Sequence, residues 1–519
     1  MSFKYGGCSD VGQANFNRVT LVSKAKVAGL EEPVRFSVAK DGRVFFAERN
    51  GTISVVLPDG NIVKLGKIPV FDLHAKLTLN EENEFGLDGM VLDRNFETTG
   101  WLYAYFQHPT QLLSKLSRFK VTGTTLDLNS EQNVLSWTYQ NAYCCHTGGG
   151  MEFDAKGDLW LSVGNNTRNP DLTAANGYVD ESQEVADDQA HAANTNDLRG
   201  KILRIHPLDA PDADGKLYSI PSGNMKEVYA SVWGADTAKV RPEIYAMGNR
   251  SNYTISVDTV KNLLTWGDIG PDNGYDSEEF NITDKPGFFG WPYFVGAVGN
   301  AHYSFRLNKD PAAPVNTSKN NTGSQKLPPA IGATIGYRQS AAIAGSVYRW
   351  NTWQTSPKKL PPHFMDKWFH TDMNSGILQV ATLAANGIRV EKRETLATSL
   401  IKPLQVKIGP DGILYTLEYA ATFHSTDGQT AIKRWEYTGP ACAGPVTSLA
   451  KVPMAGQKAG SLLNFGFGAQ RFVTVPAGAK AVRLYDLHGK LAFSRAADGD
   501  RLDVPGILGS GVYRVQFEY

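Results

Sequence analysis

The sequence predicts an all-β protein: a six-bladed β-propeller with long loops, followed by a small C-terminal β-sandwich-like module. Three observations carry this reading. Glycine supplies 51 of 519 residues and aromatic residues 11%, against a usual glycine share of roughly 7%. Many tight turns and many flat side chains suit numerous short strands. A short motif, a polar turn followed by an aromatic-rich strand, recurs along the chain, and its texture stops after Tyr437.

The recurrences are DGRVFFAERNG (41–51), TGWLYAYF (99–106), KGDLWLSVGN (156–165), KNLLTWGDIG (261–270), MDKWFHTDM (365–373) and DGILYTLEYA (411–420). Each alternates or runs apolar over four to six residues, as a half-buried strand does. Six copies over roughly 420 residues give about 70 residues per unit, whereas a four-stranded blade needs about 40–45. The surplus and the uneven spacing place long insertions in the loops. The propeller therefore spans 1–437. A Pro-, Gly- and Ala-rich linker, 438–460, leads to a β-module over 461–519. In that module AKAVRLYDLHGKLAFSRA (479–496) and GVYRVQFEY (511–519) read as alternating strands; its single His is His488.

Composition excludes several classes. Lys plus Arg and Asp plus Glu each number 52, so the formal charge is zero. That argues against a basic nucleic-acid surface. No run of about 18 apolar residues exists, so no transmembrane segment is expected. Hydrophobic residues at 42% suffice for a large core. Four cysteines are too few for a disulfide scaffold and lack zinc-site spacing. Cys144 and Cys145 are adjacent, either two buried thiols or a vicinal disulfide formed in an oxidising compartment. Cys8 and Cys442 are placed to tie the ends of one domain. The opening MSFKYGGCSD carries no secretory leader, which fits a cytosolic protein or, as favoured here, one whose signal peptide has been removed.

Three constellations carry chemistry. In AYCCHTGGGMEFDAKGDLWLSVGNNT (142–167), His146 is followed by Thr and three glycines, where backbone approaches a ligand closely. A lone His is often satisfied in its turn, but this one precedes a propeller strand whose end lines the central channel. A neutral imidazole there takes a proton from a hydroxyl, as alcohol oxidation requires. In TWGDIGPDNGYDSEEFNITDKPGFFGWPYFVG (265–296), Asp268, Asp272, Asp276, Glu278 and Glu279 crowd a Gly- and Pro-interrupted loop. It is either an acidic solvated loop or an oxygen-rich cation site of a non-EF-hand kind. Pro271 donates no backbone hydrogen bond, which leaves its carbonyl and that of Gly270 available to calcium. In RPEIYAMGNRSNYTISVD (241–258), Arg250 stands at a strand end, where it either decorates a surface or clamps a carboxylate. Neither GxGxxG nor GxxxxGK[ST] occurs in a strand–turn–helix context, and GxSxG is absent. A nicotinamide or nucleotide cofactor and a serine hydrolase are thereby disfavoured.

Taken in order, ENEFGLDGMVLDRNFETTGWLYAYF (82–106), CCHTGGGMEFDAKGDLWLSVGNNT (144–167), NTNDLRGKILRIHP (194–207), PEIYAMGNR (242–250), GDIGPDNGYDSEEFN (267–281), FFGWPYFVG (288–296) and KIGPDGILYTLEYA (407–420) resemble the soluble quinoprotein glucose/sorbosone dehydrogenases. These are six-bladed propellers that bind pyrroloquinoline quinone through Ca2+. The resemblance covers residues 17 to 437. It implies that His146 is the catalytic base and that Arg250 contacts the quinone. Glu84 falls where a polar side chain approaches the quinone. Gly270 and Pro271 fall where main-chain carbonyls hold calcium, with Glu278 and Glu279 following as ligands or loop braces. Asn374, Lys402 and Leu404 correspond to basic residues that neutralise quinone carboxylates in glucose-oxidising members. This chain also has Ser251 and Asn252 where the family has Asn-Pro, and Asn165 where the family has Asp. The C-terminal VRLYDLHGKL (482–491) and LDVPGILGSGVYRVQF (502–517) resemble sorting modules of proteins exported by the type IX route.

The implied activity is an exported quinoprotein sugar (aldose) dehydrogenase, secreted, periplasmic or at the cell surface. It would act on a small sugar or oligosaccharide and pass electrons to an external acceptor. The alternatives are a calcium-dependent propeller hydrolase or lactonase, and a non-catalytic carbohydrate-binding propeller.

Overall fold

The computed structural model describes residues 11–78, 83–167, 178–271, 278–297, 309–338, 340–350, 354, 356–420 and 427–440, together with six strands between 462 and 518. Cys8, Cys442, Asp272, Asp276 and His488 lie outside the described residues. The chain divides into two compact units, 1–445 and 446–519.

Six sheets form the blades of the first unit, antiparallel except where Gly287–Phe288 pairs parallel with Ile244–Met247 in the third. Their innermost strands are Pro33–Val38, Leu87–Leu92, Gly148–Phe153, Ile255–Asp258, Ala342–Val347 and Pro403–Ile408, which pack side by side around a channel. The six recurrent sequence motifs fall in the second strands: Val44–Glu48, Trp101–Gln107, Leu159–Val163, Leu263–Asp268, Lys367–Asp372 and Leu414–Glu418. A second strand is covered by a sheet neighbour on each edge and by a blade on each face, so both of its faces are apolar or aromatic. Trp160, Trp266, Trp368 and Tyr415 on these strands are fully buried. They fill the wedge between blades, Trp160 against Tyr245 and Trp266 against Phe289 with ring centroids 4.5 Å apart in each pair. Burying such a ring contributes roughly 1.5–3 kcal/mol.

The ring closes by strand exchange between the ends of the unit. Phe16–Ser23 pairs antiparallel with Ala431–Tyr437, Phe16 opposite Tyr437, and completes the sixth blade. Closure leaves no open edge between the first blade and the last. The insertions foreseen from the spacing sit mainly in the third and fourth blades, at 164–200, 208–243 and 284–334. In the second unit, Leu462–Phe465, Gly511–Glu518, Ala481–Tyr485 and Leu491–Ala496 form one sheet in that order. Phe472–Thr474 pairs with Arg501–Asp503 in another.

Candidate active site

A cavity of about 310 Å³ opens at the end of the channel where the innermost strands begin. Every blade contributes to it: Arg49, Glu84, His146, Arg250 and Tyr253, Asn374 and Met373, then Leu404 and Tyr419. A larger cavity, about 470 Å³, lies at the opposite mouth among Lys40, Asp93, Glu152, Asp258 and Lys407, and holds none of the candidate residues. Between the two, the channel is occupied by the buried guanidinium of Arg35.

His146 stands in the turn leading into Gly148–Phe153. Cys145 and His146 have φ of 103° and 58°, a left-handed conformation that costs a non-glycine residue about 1–3 kcal/mol. The surroundings hold it. Cys144 and Cys145 are joined by a disulfide. Glu84 Oε2 accepts the His146 N–H at 3.2 Å, and the His146 carbonyl accepts the Asn166 N–H at 3.1 Å. A β-carbon on Gly164 would come within 2.1 Å of that carbonyl oxygen, so only glycine lets the two turns meet. His146 Nδ1 lies 2.9 Å from Asn165 Oδ1, and Asn165 Nδ2 donates to Asp188 Oδ2 at 3.0 Å. Trp291 Nε1 donates to the same oxygen at 2.7 Å. Burial pushes the Asp188 carboxyl up to about 7, against the pull of Trp291, Thr167 and Arg250.

Arg250 is fixed from behind. Its N–H and that of Ser251 donate to Asp268 at 2.9 Å and 2.6 Å, and its Nη1 donates to the Ile269 carbonyl at 2.9 Å. The guanidinium lies 5.6 Å from the Tyr178 ring and 6.0 Å from that of Trp291, close enough for cation–π attraction. The second arginine, Arg49, spends its charge internally. It bonds Glu32 and Asp88, each at 2.9 Å, and the Glu84 carbonyl, while Tyr419 donates its hydroxyl to Glu32.

Glu84, His146, Arg250, Gly270 and Asn374 line one cavity; Lys402, Pro271, Glu278 and Glu279 do not. Lys402 reaches its rim, with Nζ 3.5 Å from Asn374 Oδ1. Pro271 is buried beside Gly270. Glu278 and Glu279 open the buried strand Glu278–Thr283. Glu278 accepts the N–H groups of Gly270 at 3.2 Å and Ala342 at 3.1 Å; Glu279 accepts those of Gly296 at 2.6 Å and Asn281 Nδ2 at 3.0 Å. Burial raises both carboxyls, and the nearby Asp268 charge adds to the effect at Glu279. Among the described residues no three His, Cys, Asp or Glu side chains converge as a metal cage.

Sequence reasoning missed Arg35, Arg49, Asp88, Asp188 and Trp291. Arg49 and Asp88 carried a usable signal, since a charged residue inside an apolar strand motif is buried and must find a partner. Asp188 and Trp291 lie in long insertions without periodicity.

The glucose/sorbosone dehydrogenase family model matches residues 30–423. The HIPL1 protein of Arabidopsis thaliana is 22% identical over 443 residues, covering 73% of this chain and 56% of that one. The aldose sugar dehydrogenase YliI of Escherichia coli is 24% identical over 283 residues, 52% of this chain and 57% of that one. The chain thus spans little more than half the length of these curated relatives. The PQQ-bound aldose sugar dehydrogenase of Streptomyces coelicolor superposes with a TM-score of 0.51 at 16% identity, covering 82% of this chain and 99% of that one, which is a likeness of fold. Matched by the family model over residues 30–423 of its 519, the chain belongs to the glucose/sorbosone dehydrogenase family.

Proposed function

We propose that this protein is a pyrroloquinoline-quinone-dependent sugar dehydrogenase that oxidises a sugar hydroxyl, with His146 as the base. The observation that carries the reading is the placement of His146, Nδ1 hydrogen-bonded to Asn165, in one cavity with Arg250 and Glu84. The Asn165 carbonyl only accepts, so the imidazole proton sits on Nδ1 and the lone pair on Nε2. His146 then takes the hydroxyl proton at Nε2 as the carbon gives up hydride.

The lining suits the quinone. Ile269, Ile343, Met373 and Leu404, with the rings of Tyr253 and Tyr419, offer apolar walls for a flat ring system. Arg250 inside the cavity and Lys402 at its rim supply positive charge for carboxylates, while Arg49 is already neutralised by Glu32 and Asp88. When bound, the quinone supplies the two-electron acceptor for the hydride. The carbonyls of Gly270 and Pro271 would hold Ca2+ in a loop pinned by Glu278 on one side and Arg250 on the other. In this reading Glu278 and Glu279 brace the loop, consistent with their backbone partners. Export to an oxidising compartment is supported by the Cys144–Cys145 disulfide.

The test is reconstitution of the full chain with pyrroloquinoline quinone and Ca2+, followed by aldose-dependent reduction of an artificial electron acceptor. Turnover that requires both additions supports the reading. Lactone hydrolysis without quinone points to the hydrolase alternative, and glycan binding with neither activity to a binding propeller.

A further inference from the structure

We propose that Asp188, acting through the Asn165 amide, is the positioning residue that supplies the negative charge behind His146. The proposal rests on His146 being the base of the reaction. The amide orientation is set by its neighbours. The Thr167 N–H donates to Asn165 Oδ1 at 3.2 Å, and the Asp188 carboxylate requires a donor at Nδ2. Oδ1 therefore faces His146 as an acceptor. A neutral amide alone places no charge against the imidazolium that forms on proton uptake. The carboxylate next in line is Asp188, which is wholly buried.

Asp188 Oδ2 accepts two N–H groups, from Asn165 and Trp291, which favour the ionised carboxylate. Two neighbouring cations act on it, Arg250 and Arg199. They favour its ionised form against the burial that pushes its carboxyl up to about 7. Aligned dipoles in a dry interior carry the effect, since the charge polarises the Asn165 carbonyl toward the Nδ1–H. The proton balance is simple. The substrate O–H bond breaks and its proton joins Nε2. The Nδ1 proton stays in place, and no proton crosses Asn165. The quinone of the proposed reaction would supply the two-electron acceptor for the hydride given up by the same carbon.

The test uses the full chain and two variants. Asp188→Asn keeps an oxygen for both N–H donors and removes only the charge; Asn165→Ala cuts the bridge. The His146 titration is read by NMR of labelled histidine, assigned against His146→Gln, without cofactor or turnover. Either variant is expected to lower the His146 midpoint by about half a pH unit or more. Adding Asp188→Asn to Asn165→Ala should move it little further. In the reconstituted enzyme, kcat should fall about tenfold at nearly constant KM, and the acid limb of its pH profile should shift. An unmoved His146 midpoint in Asn165→Ala overturns the proposal even if Asp188→Asn fails to fold. Coupled titration in a protein that oxidises no sugar would leave the relay standing and sink the dehydrogenase reading instead.

Discussion

Arg35 Nη2 donates to the carbonyl oxygen of Gly148 at 3.1 Å. The bond runs across the channel from the first blade to the third, and meets the chain two residues beyond His146. The same guanidinium reaches the carbonyls of Gly149 at 3.2 Å and Tyr253 at 2.8 Å, and lies over the Tyr253 ring at 3.7 Å. One side chain on the first blade thus ties down the start of the third and fourth blades beneath the cavity. Gly149 is compelled to be glycine there, because a β-carbon would come within 2.3 Å of the Asp88 carbonyl oxygen.

Arg35→Met is therefore expected to destabilise the propeller by about 3 kcal/mol or more, since it strands three carbonyls and leaves Asp88 with one fewer cation. Urea unfolding measures this. Arg35→Lys should fall between the two, because a single ammonium cannot match a fork that serves four carbonyls, that of Val34 included. A midpoint unchanged in Arg35→Met would show that the channel floor is held by something else.

His146→Ala should lower kcat of the reconstituted enzyme by about 10²–10⁴ while leaving quinone affinity within about tenfold. The measurement is steady-state turnover beside calorimetric titration of the quinone. A variant with full turnover would remove His146 from the base role.

The Cys144–Cys145 disulfide spans the turn in which two consecutive non-glycine residues hold positive φ. Replacing both cysteines by alanine should release that conformation, lower Tm and reduce kcat more than it alters KM. Peptide mass mapping of unreduced protein should show the peptide that holds Cys144 and Cys145 two hydrogens lighter than after reduction. Free thiols in the unreduced sample would contradict the pairing.

Chelation should lower Tm and added Ca2+ should restore it, because a cation bound only by the native state stabilises that state by mass action. Mg2+ should substitute poorly, since it demands shorter, near-octahedral coordination than a carbonyl-rich loop supplies. Differential scanning fluorimetry across a calcium series is sufficient. A Tm indifferent to chelator and calcium alike would end the calcium reading.

His370 gives the propeller a pH dependence remote from the site. It lies on the second strand of the fifth blade between Phe280 and Trp368, with ring centroids 4.7 and 5.0 Å away. Burial, then the Arg393 charge, depresses it from 6.5 to about 3. Between those values the unfolded chain binds a proton that the folded chain refuses. Stability is thus fully present above about pH 6.5 and declines as pH falls, by about 2 kcal/mol near pH 5. His370→Phe should flatten that decline, as read from urea midpoints at pH 7.5 and 5. Parallel pH profiles for wild type and variant would show that His370 is not its source.

The second strands of all six blades were legible because each is enclosed on both faces and edges. Motifs such as DLWLSV and NLLTWG must be apolar and aromatic wherever they occur. The EEFNIT stretch was not. Two adjacent glutamates read as part of a loop, whereas the fold buries them at the start of a third strand. There their carboxylates accept the backbone N–H groups of Gly270, Ala342 and Gly296. No local pattern announces such partners, since Ala342 lies far along the chain in the next blade.

The candidate site divides the same way. His146, Arg250 and Gly270 were legible because each stands in a short segment of unusual composition at the end of a strand. The sequence by itself determined the blade number and the turn that carries His146, for these rest on local periodicity and on glycine. Only the tertiary structure decided what stands behind that histidine. Asn165 reaches Asp188 through an insertion, and Trp291 reaches the same carboxylate from 103 residues further on. Pairing of Gly287–Phe288 with Ala246 and Met247 in the third blade returns Trp291 to hydrogen-bond distance of Asp188. Long-range packing, not local pattern, sets the electrostatics of the site.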